Sequence, residues 1–296
     1  MMDYRPVSVL TLVRGRQEHL THLIAGLRSQ SRRPDELVIA YMQDDPPQVP
    51  DGCPFIIRCI HVEGEPMPLA AARNRAATAA HGDLLAFLDV DCIPDEHFVK
   101  RAIEAIHEVP HGVFLPEVRY LPGARRGWLE SDGRTTDYAS LQWAGRRHPA
   151  KRDLTNVSIE PIGDFGELWG LAFILAKSTW TAAGGMDEEY VGYGAEETDF
   201  GRRLEGCGAE LFWLGGTICY HQHHVVHKPP LQHFESIVRN ARLFRRRWGE
   251  WCMDYWLDDF ERRGLVDRSG GELRVLPPPT PAEINATEQG PHVRFS

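Results

Sequence analysis

The feature that most constrains the fold of this chain is a repeated alternation of strands and helices in its first third. Residues 7–13 are β-branched and apolar, which is typical of a buried parallel strand. Residues 17–29 then place leucine and isoleucine at helical spacing, and a second apolar strand follows at 36–42. The series continues with a strand at 55–61, an alanine-rich helix at 69–80, an apolar strand at 84–88 and an amphipathic helix at 95–108. This pattern predicts an α/β fold whose strand ends meet at one edge of a sheet, where ligands bind.

Beyond residue 110 the strict alternation fades. A long segment rich in arginine, glycine, aspartate and tryptophan, residues 122–159, is interpreted as a functional loop or lid with a short helix. The tail from residue 277 has three consecutive prolines and few apolar residues, which predicts that it is disordered or draped on the surface. The other predicted elements are strands at 113–120, 172–176 and 211–220, and helices at 177–183, 198–206 and 231–263.

Composition limits the class of protein. The chain has 296 residues, of which 42% are apolar and 25% charged, as in a globular protein with a sizeable core. A net charge of −9 argues against a general nucleic-acid binder. The six cysteines form no Cys-x-x-Cys pair, so neither a structural zinc site nor a disulfide framework is indicated. Because no long apolar window or signal core is present, we expect a cytoplasmic protein with at most peripheral membrane contact.

Two carboxylates follow the apolar strand at 84–88. Alternate side chains of an extended segment share a face, so Asp89 and Asp91 can both point at one hard cation. Such an ion usually completes its shell with substrate phosphates. Two acids at a strand end are also common in solvated turns and helix caps, and the acids alone leave that alternative open.

A glycine-rich, acidic segment spans residues 184–200. Its glycines permit a tight backbone path beside a ligand, and an aromatic ring followed by paired acids suits a sugar. In that interpretation Tyr193 stacks on a sugar ring and a glutamate accepts a hydroxyl proton. The alternative is that Thr198 or a glutamate only starts a helix.

A histidine cluster follows the strand predicted at 211–220. Four of the seven residues from 221 to 227 are histidine, and in an extended chain His221 and His223 would share one side. Neutral imidazoles complement carboxylates around a divalent transition ion. The high density of histidine favours metal ligation over a simple surface feature.

In their order along the chain, these motifs resemble those of glycosyltransferases with the GT-A fold. The resemblance is to the family-2 type whose C-terminal half is similar to β-1,4-galactosyltransferases. Residues 12–20 are similar to that family's nucleotide loop, residues 89–94 match its Asp-Val-Asp-Leu-Ile-Pro motif, and residues 192–199 correspond to its Gly-Trp-Gly-Gly-Glu-Asp-Asp-Asp motif. The resemblance implies a GT-A fold with a Rossmann-like nucleotide-binding half, a mixed central sheet and a C-terminal helical segment. The expected division is 1–110 for nucleotide-sugar binding, 111–230 for acceptor binding and catalysis in the same domain, 231–276 for a helical extension, and 277–296 for a disordered tail.

Three departures from the family pattern are visible. Leu12 and Val13 replace proline and phenylalanine in the nucleotide loop, and Tyr193 replaces the usual tryptophan. The position of the catalytic base carries Glu197 in place of aspartate. Because glutamate is one methylene longer than aspartate, this change affects the geometry of the acceptor more than the type of reaction.

The resemblance also implies a reaction: a metal-dependent, inverting transfer from a nucleoside-diphosphate sugar, UDP-linked, to an acceptor hydroxyl. Glu197 would be the general base, and the cofactor would be Mn²⁺, with Mg²⁺ as the alternative. The implied metal ligands are Asp91 and His221, with His223 added through a His-x-His variant, and the sequence leaves open which of His221, His223 and His224 ligate the metal. The donor-binding set is Thr11, Arg14, Arg16, Asp44, Arg73 and Asp89, in which Arg14 and Arg16 meet the diphosphate.

The acceptor site is expected to involve Trp169, Gly170, Tyr193 and Glu196. Trp169 and Tyr193 stand beside glycines, so they can wall the sugars or can be plain core residues. The expected partners are a nucleotide-sugar donor and a glycan, lipid-linked or small-molecule acceptor, but no nucleic acid. The sequence does not identify the sugar, the acceptor or the oligomeric state.

Two other functions and one surface feature remain open. The same pocket would suit a catalytically inactive nucleotide-sugar or carbohydrate-binding protein, or a metal-dependent sugar nucleotidyltransferase that releases pyrophosphate. The glycine-rich segment and the histidines would have no role in a nucleotidyltransferase. Separately, Arg239, Arg242 and Arg246 share one face of the predicted C-terminal helix. That face is either solvated or in contact with an anionic membrane or a lipid-linked acceptor.

Overall fold

A computed structural model describes residues 5–123, 127–154 and 156–295 of the chain. The other residues lie outside the described part of the chain. They are residues 1–4, residues 124–126 and 155 of the predicted lid, and residue 296 of the predicted tail.

A mixed sheet of ten strands forms the centre of the described structure. Four parallel strands stand in the order β3, β2, β1, β4, and the order continues with β9, β6, β10 and β5. Strand β9 is antiparallel to both of its neighbours, which makes the sheet mixed and confirms the predicted fold class. The strands are β1 Val7–Val13, β2 Glu36–Tyr41, β3 Ile56–His61, β4 Leu84–Leu88, β5 Cys92–Pro94, β6 Gly112–Tyr120, β7 Arg146–Arg147, β8 Ile159–Ile162, β9 Ala172–Ala176 and β10 Glu210–His221. A separate two-stranded sheet pairs β11 Val266–Asp267 with β12 Arg274–Val275.

Helices cover both faces of the sheet and bury a core on each. One core contains Leu20 and Phe98 with apolar residues of the strands, and the other contains Ala72, Trp180 and Phe200. Burying one large apolar side chain of this kind contributes about 1.5–3 kcal/mol, so the two layers fix the strand ends firmly. The helices are α1 Gln17–Arg28, α2 Leu69–Ala79, α3 Phe98–Glu108, α4 Tyr138–Ala144, α5 Lys177–Ala182, α6 Glu196–Gly206, α7 Phe234–Trp248, α8 Asp254–Arg262 and α9 Pro281–Ala286.

The predicted helix at 231–263 is two helices, α7 and α8. Helix α7 ends at Gly249, which has a φ of 77°, and α8 begins after Met253, which has a φ of 59°. These left-handed residues turn the chain, because a helix cannot continue through them. The two helices share a small third core with Tyr193 of the glycine-rich segment packed against it.

Of the two alternatives for the tail from residue 277, disordered or draped on the surface, the described residues are ordered and contact the rest of the fold. Thr280 and Glu283 form a capping box that starts α9. Further on, the amide of Gln289 donates to the carbonyl of Val226 over 2.8 Å, and the ring of Phe295 lies 5.1 Å from that of Tyr120. Local capping and docking onto the histidine segment therefore order a stretch that has few apolar residues of its own.

Several arginines of α7 bind within the fold. Arg242 donates to the carbonyl of Leu273 over 2.7 Å, and Arg247 lies 2.7 Å from a carboxylate oxygen of Asp187. Contact of this helix with a membrane surface stays a prediction. Among the described residues, we find no helix with the length and apolar character needed to cross a bilayer.

Candidate active site

Strand pairing brings the Asp89–Asp91 turn next to the histidine segment. The short strand β5 begins directly after Asp91 and runs antiparallel to β10, so that Cys92 faces His221. One residue further, the amide of Gln222 donates to the carbonyl of Asp91 over 2.7 Å. Segments far apart in the sequence are thus fixed side by side through backbone hydrogen bonds.

Three side chains converge at this junction. Ligand atoms of Asp91, His221 and His224 all lie within 4.8 Å of one another. One carboxylate and two imidazoles form a donor set that suits a divalent transition ion such as Mn²⁺, and the predicted cofactor fits these residues. The structure therefore brings together the predicted ligands Asp91 and His221.

The third member of the group is His224, one of the three histidines among which the sequence left the choice open, and not His223, which the His-x-His pattern favours. His223 does not belong to this group, and a Cβ added at Gly123 would be 3.5 Å from its Nδ1 atom. The prediction assumed that alternate residues share a face, but β10 ends at His221 and that alternation ends with it. His223 therefore lies outside the group that could hold the ion.

Electrostatics favour the ligating forms of these side chains. Burial disfavours ionisation of Asp91, but the contact with His19 and the charge of Arg16 outweigh it and lower the pKa of Asp91 to about 2. The Nδ1 atom of His19 lies 2.9 Å from a carboxylate oxygen of Asp91. Burial lowers the pKa of His221 to about 4. At neutral pH the group therefore offers a carboxylate and a neutral imidazole, as metal ligation requires.

A second cluster surrounds the buried guanidinium of Arg73 on α2. Its nitrogens lie 3.1 Å from Glu197, 3.6 Å from Glu196 and 3.6 Å from Asp89. Gly170 passes so close that an added Cβ would overlap the Glu197 carboxylate and lie 2.6 Å from Arg73 Nη2. Residues from four distant segments thus form one compact group of acids around a single cation.

Two acids of this cluster, Asp89 and Glu196, have raised pKa values, and the two glutamates differ in exposure. Burial raises the pKa of Asp89 to about 7 against the opposing charge of Arg73. Burial and the charge of Glu197 raise the pKa of Glu196 to about 7. The Glu196 side chain is only 4% exposed, whereas that of Glu197 is 31% exposed. Of these two glutamates, Glu197 is the one that a substrate can reach.

The predicted donor-binding residues surround the same strand ends. Arg16 pairs with Asp91, and Arg14 reaches Glu65 with a nitrogen–oxygen distance of 3.1 Å. Thr11 is buried within β1, and Asp44 is exposed in the loop after β2. The structure thus brings Arg16, Arg73 and Asp89 to the two clusters and leaves the Asp44 side chain in solvent.

The two aromatic rings predicted to line the sugar-binding sites pack against other side chains. Lys151 Nζ lies 3.5 Å above the ring of Trp169. Tyr193 stacks on His233 with a centroid distance of 4.6 Å, and Trp256 lies 5.5 Å away. A cleft of about 370 Å³, within the size range of small-molecule sites, lies between Tyr193, His233 and Arg14.

Sequence reasoning missed two residues of the site. His19 contacts Asp91. The side-chain oxygen of the buried Gln222 accepts a hydrogen bond from Nδ1 of His22 over 2.5 Å, while its amide nitrogen donates to the carbonyl of His19 over 3.1 Å. His19 stands one helical turn after Arg16 in the quoted nucleotide loop, so its spacing was an available signal. Gln222 gave none, because a lone glutamine between histidines has no distinctive pattern.

Comparisons with known proteins identify the family of the chain. The sequence model described as "Glycosyl transferase family 2" matches residues 8–160, and that described as "N-terminal domain of galactosyltransferase" matches residues 155–228. A curated relative, polypeptide N-acetylgalactosaminyltransferase 12 of Mus musculus, is 24% identical over 216 residues, which cover 70% of this chain and 34% of the relative. The chain thus spans about a third of the length of that relative.

Solved structures show a similar fold at low sequence identity. A structure of GalNAc-T7 with UDP, GalNAc and Mn²⁺ superposes with a TM-score of 0.61 at 15% identity, covering 90% of this chain and 53% of that one. The S. aureus TarS 1–349 complex with UDP gives a TM-score of 0.54 at 15% identity, covering 90% of this chain and 74% of that one.

Proposed function

Because the chain belongs to glycosyl transferase family 2 and has the GT-A fold with a galactosyltransferase-like part, we propose that it is an inverting, metal-dependent enzyme. It moves a sugar from a nucleoside-diphosphate donor, UDP-linked, to an acceptor hydroxyl. The acceptor is a glycan, a lipid-linked sugar or a small molecule. A net charge of −9 speaks against a nucleic-acid partner.

One observation carries this proposal: the potential metal ligands and a reachable carboxylate lie on either side of the Asp89–Asp91 turn. Asp91 belongs to the group with His221 and His224, and Asp89 lies 3.6 Å from the arginine that also contacts Glu197. Sugar transfer needs cation stabilisation at the leaving diphosphate and a base at the acceptor. This arrangement offers both within one site.

Asp91, His221 and His224 would hold the ion, with Mn²⁺ preferred over Mg²⁺ because imidazole ligands suit transition metals better. When bound, the ion would supply Lewis-acid neutralisation of the negative charge on the diphosphate. His221 is already neutral at physiological pH because burial lowers its pKa to about 4.

Arg16 and Arg14 would bind the phosphate oxygens of the donor. Both guanidiniums contact carboxylates at the strand ends, Arg16 that of Asp91 and Arg14 that of Glu65. A planar guanidinium that pairs with a carboxylate presents the same two-pronged donor pattern to a phosphate. The two arginines would thereby orient the leaving group and stabilise its charge.

Glu197 would remove the proton from the acceptor hydroxyl as that oxygen attacks the anomeric carbon. Arg73 holds the Glu197 carboxylate at 3.1 Å, and Gly170 leaves room for it. Neighbouring Glu196 is buried and would shape the site. General-base catalysis of this kind contributes about 10² to 10⁴ in rate.

A panel of nucleotide sugars incubated with the protein, with and without Mn²⁺, tests the proposal directly. The expected result is Mn²⁺-dependent release of a nucleoside diphosphate from at least one donor, increased by an acceptor. Donor binding without any turnover would identify an inactive binding protein. Release of pyrophosphate from a nucleoside triphosphate and a sugar phosphate would identify a nucleotidyltransferase.

A further inference from the structure

The helices after residue 231 are built into the loop that leads to Glu197. Asn240 of α7 is fully buried, and its amide nitrogen donates to the carbonyls of Gly194 over 2.8 Å and of Val191 over 3.2 Å. A Cβ at Gly194 would lie 2.7 Å from Met253 Sδ, at the start of α8. The position of the glycine-rich loop therefore depends on both helices.

Each of the two aromatic residues predicted to contact sugars already has a ring face occupied by another side chain. One face of Tyr193 is stacked on His233 at an interplanar angle of 21°, and Lys151 lies over Trp169. A sugar bound near Glu197 would need another apolar surface, because the carbon–hydrogen face of a pyranose ring packs well on an exposed aromatic ring.

Tyr255 on α8 is such a ring. Its side chain is 64% exposed, an unusual value for a large aromatic residue, and it continues the aromatic series formed by Tyr193 and Trp256. The rings of Tyr255 and Trp256 lie 4.8 Å apart. Partial desolvation of the phenol and the negative charge of Glu197 raise the pKa of Tyr255 to about 12.

We propose that Tyr255 is the aromatic platform of the acceptor site and stacks on the ring of a sugar whose hydroxyl faces Glu197. The acceptor is then a glycan or glycoside. Tyr255 is connected through the rings of Trp256 and Tyr193 to the loop that carries the base, whereas Arg16 contacts Asp91 of the potential metal ligands, so the stacked sugar is the acceptor's. This inference rests on the function proposed above for the same site.

The test uses methyl glycosides of glucose, galactose, N-acetylglucosamine, xylose and mannose, which carry no aromatic group of their own. Tyr255→Ala should raise the acceptor KM about tenfold, the loss expected for one stacking contact of about 1.4 kcal/mol. Donor hydrolysis in water and the donor KM should stay unchanged. Tyr255→Phe should keep the wild-type acceptor KM because the ring remains. Arg262→Ala, at an exposed position on the same helix, is the control and should change nothing.

Saturation-transfer NMR on the sugar ring protons gives a second measurement that needs no turnover. A glycoside signal that disappears in Tyr255→Ala but persists in Tyr255→Phe supports the platform even if no donor is cleaved, in which case only the proposed function fails. An acceptor KM and NMR signal that are equal in Tyr255→Ala and wild type overturn the inference. Donor cleavage with no glycoside bound or used as acceptor also overturns it, while leaving sugar transfer to another acceptor in place.

Discussion

The backbone amide of Gln222 donates a hydrogen bond to the carbonyl of Asp91 over 2.7 Å. This bond directly follows the pairing of β5 with β10 and fixes the histidine segment against the aspartate turn. The side chain of Gln222 meanwhile contacts His22 and His19 of α1. One buried residue therefore connects the nucleotide loop, the aspartate turn and the histidines.

The first prediction separates two neighbouring histidines. His224→Ala should weaken Mn²⁺ binding, because His224 belongs to the group with Asp91 and His221. Loss of an outer partner of a metal site typically costs about 10- to 100-fold in affinity, and loss of a ligand should cost at least as much. His223→Ala is the matched control and should bind Mn²⁺ like the wild type. Electron paramagnetic resonance of free Mn²⁺ measures both, and the reverse ranking would reject the group seen in the structure.

The second prediction concerns the base. Glu197→Gln should lower the rate of sugar transfer by about 10² to 10⁴, since the amide cannot accept the acceptor proton. Donor affinity and Mn²⁺ affinity, measured by calorimetry, should be preserved. Glu188→Gln, at an exposed acid paired with Arg75, should be fully active. Normal transfer by Glu197→Gln would mean that another group accepts the proton.

The third prediction uses the close approach of Gly170. A methyl group at this position would collide with Glu197 and Arg73, and small displacements of catalytic groups cost about 10²-fold in rate. Gly170→Ala should therefore lower kcat by about that factor. Gly163→Ala, at a glycine whose Cβ position is open, should stay within about twofold of wild type. Equal kcat values for the two variants would show that the Arg73 cluster tolerates displacement.

The fourth prediction concerns the contribution of Glu36, the first residue of β2, to the stability of the fold. Glu36 is buried on β2, where burial opposes its ionisation, but hydrogen bonds from the His81 amide, the Ser8 hydroxyl and Arg58 lower its pKa to about 2. Because the folded-state pKa lies below the ordinary 4.5, the carboxylate stabilises the fold above that pH and less as the pH falls toward 2. Glu36→Gln should lower the free energy of unfolding by about 2 to 3 kcal/mol at pH 7.

Urea unfolding at pH 7 and at pH 4 checks this prediction. The difference between wild type and Glu36→Gln should be smaller at pH 4, where the unfolded wild-type chain has begun to bind the proton. Glu63→Gln, at an exposed acid, should match wild type at both values. A difference that grows on acidification would contradict the assigned direction of the shift.

The strands and helices of the first 110 residues could be predicted because their sequence patterns are local. Runs such as residues 7–13 are apolar throughout, and the structure buries every residue of β1. The predicted strand at 172–176 coincides with β9, an uninterrupted apolar run buried on both faces. Patterns of this kind determine the element without reference to the rest of the chain.

The structure of the tail and the grouping of side chains around Asp91 depend on tertiary contacts. The tail carried the sequence Thr280-Pro-Ala-Glu283, a capping-box signal, but its low apolar content favoured disorder until docking was visible. The spacing of Arg16 and His19 indicates that they lie one helical turn apart, but their common contact with Asp91 arises from the packing of α1 beside β5. The choice of His224 over His223 followed from where β10 ends, and strand boundaries are the least certain part of any sequence prediction.

The group around Asp91 is assembled only when β10, the last strand to enter the central sheet along the chain, pairs with β5. Partly folded forms that lack this pairing could not bring the three ligands together, so an ion bound there would stabilise the native state selectively. By mass action, the gain reaches about 2.7 kcal/mol when the free ion is present at one hundred times its Kd. Occupancy by metal would in this way couple the chain's thermal resistance to the ionic composition of its surroundings.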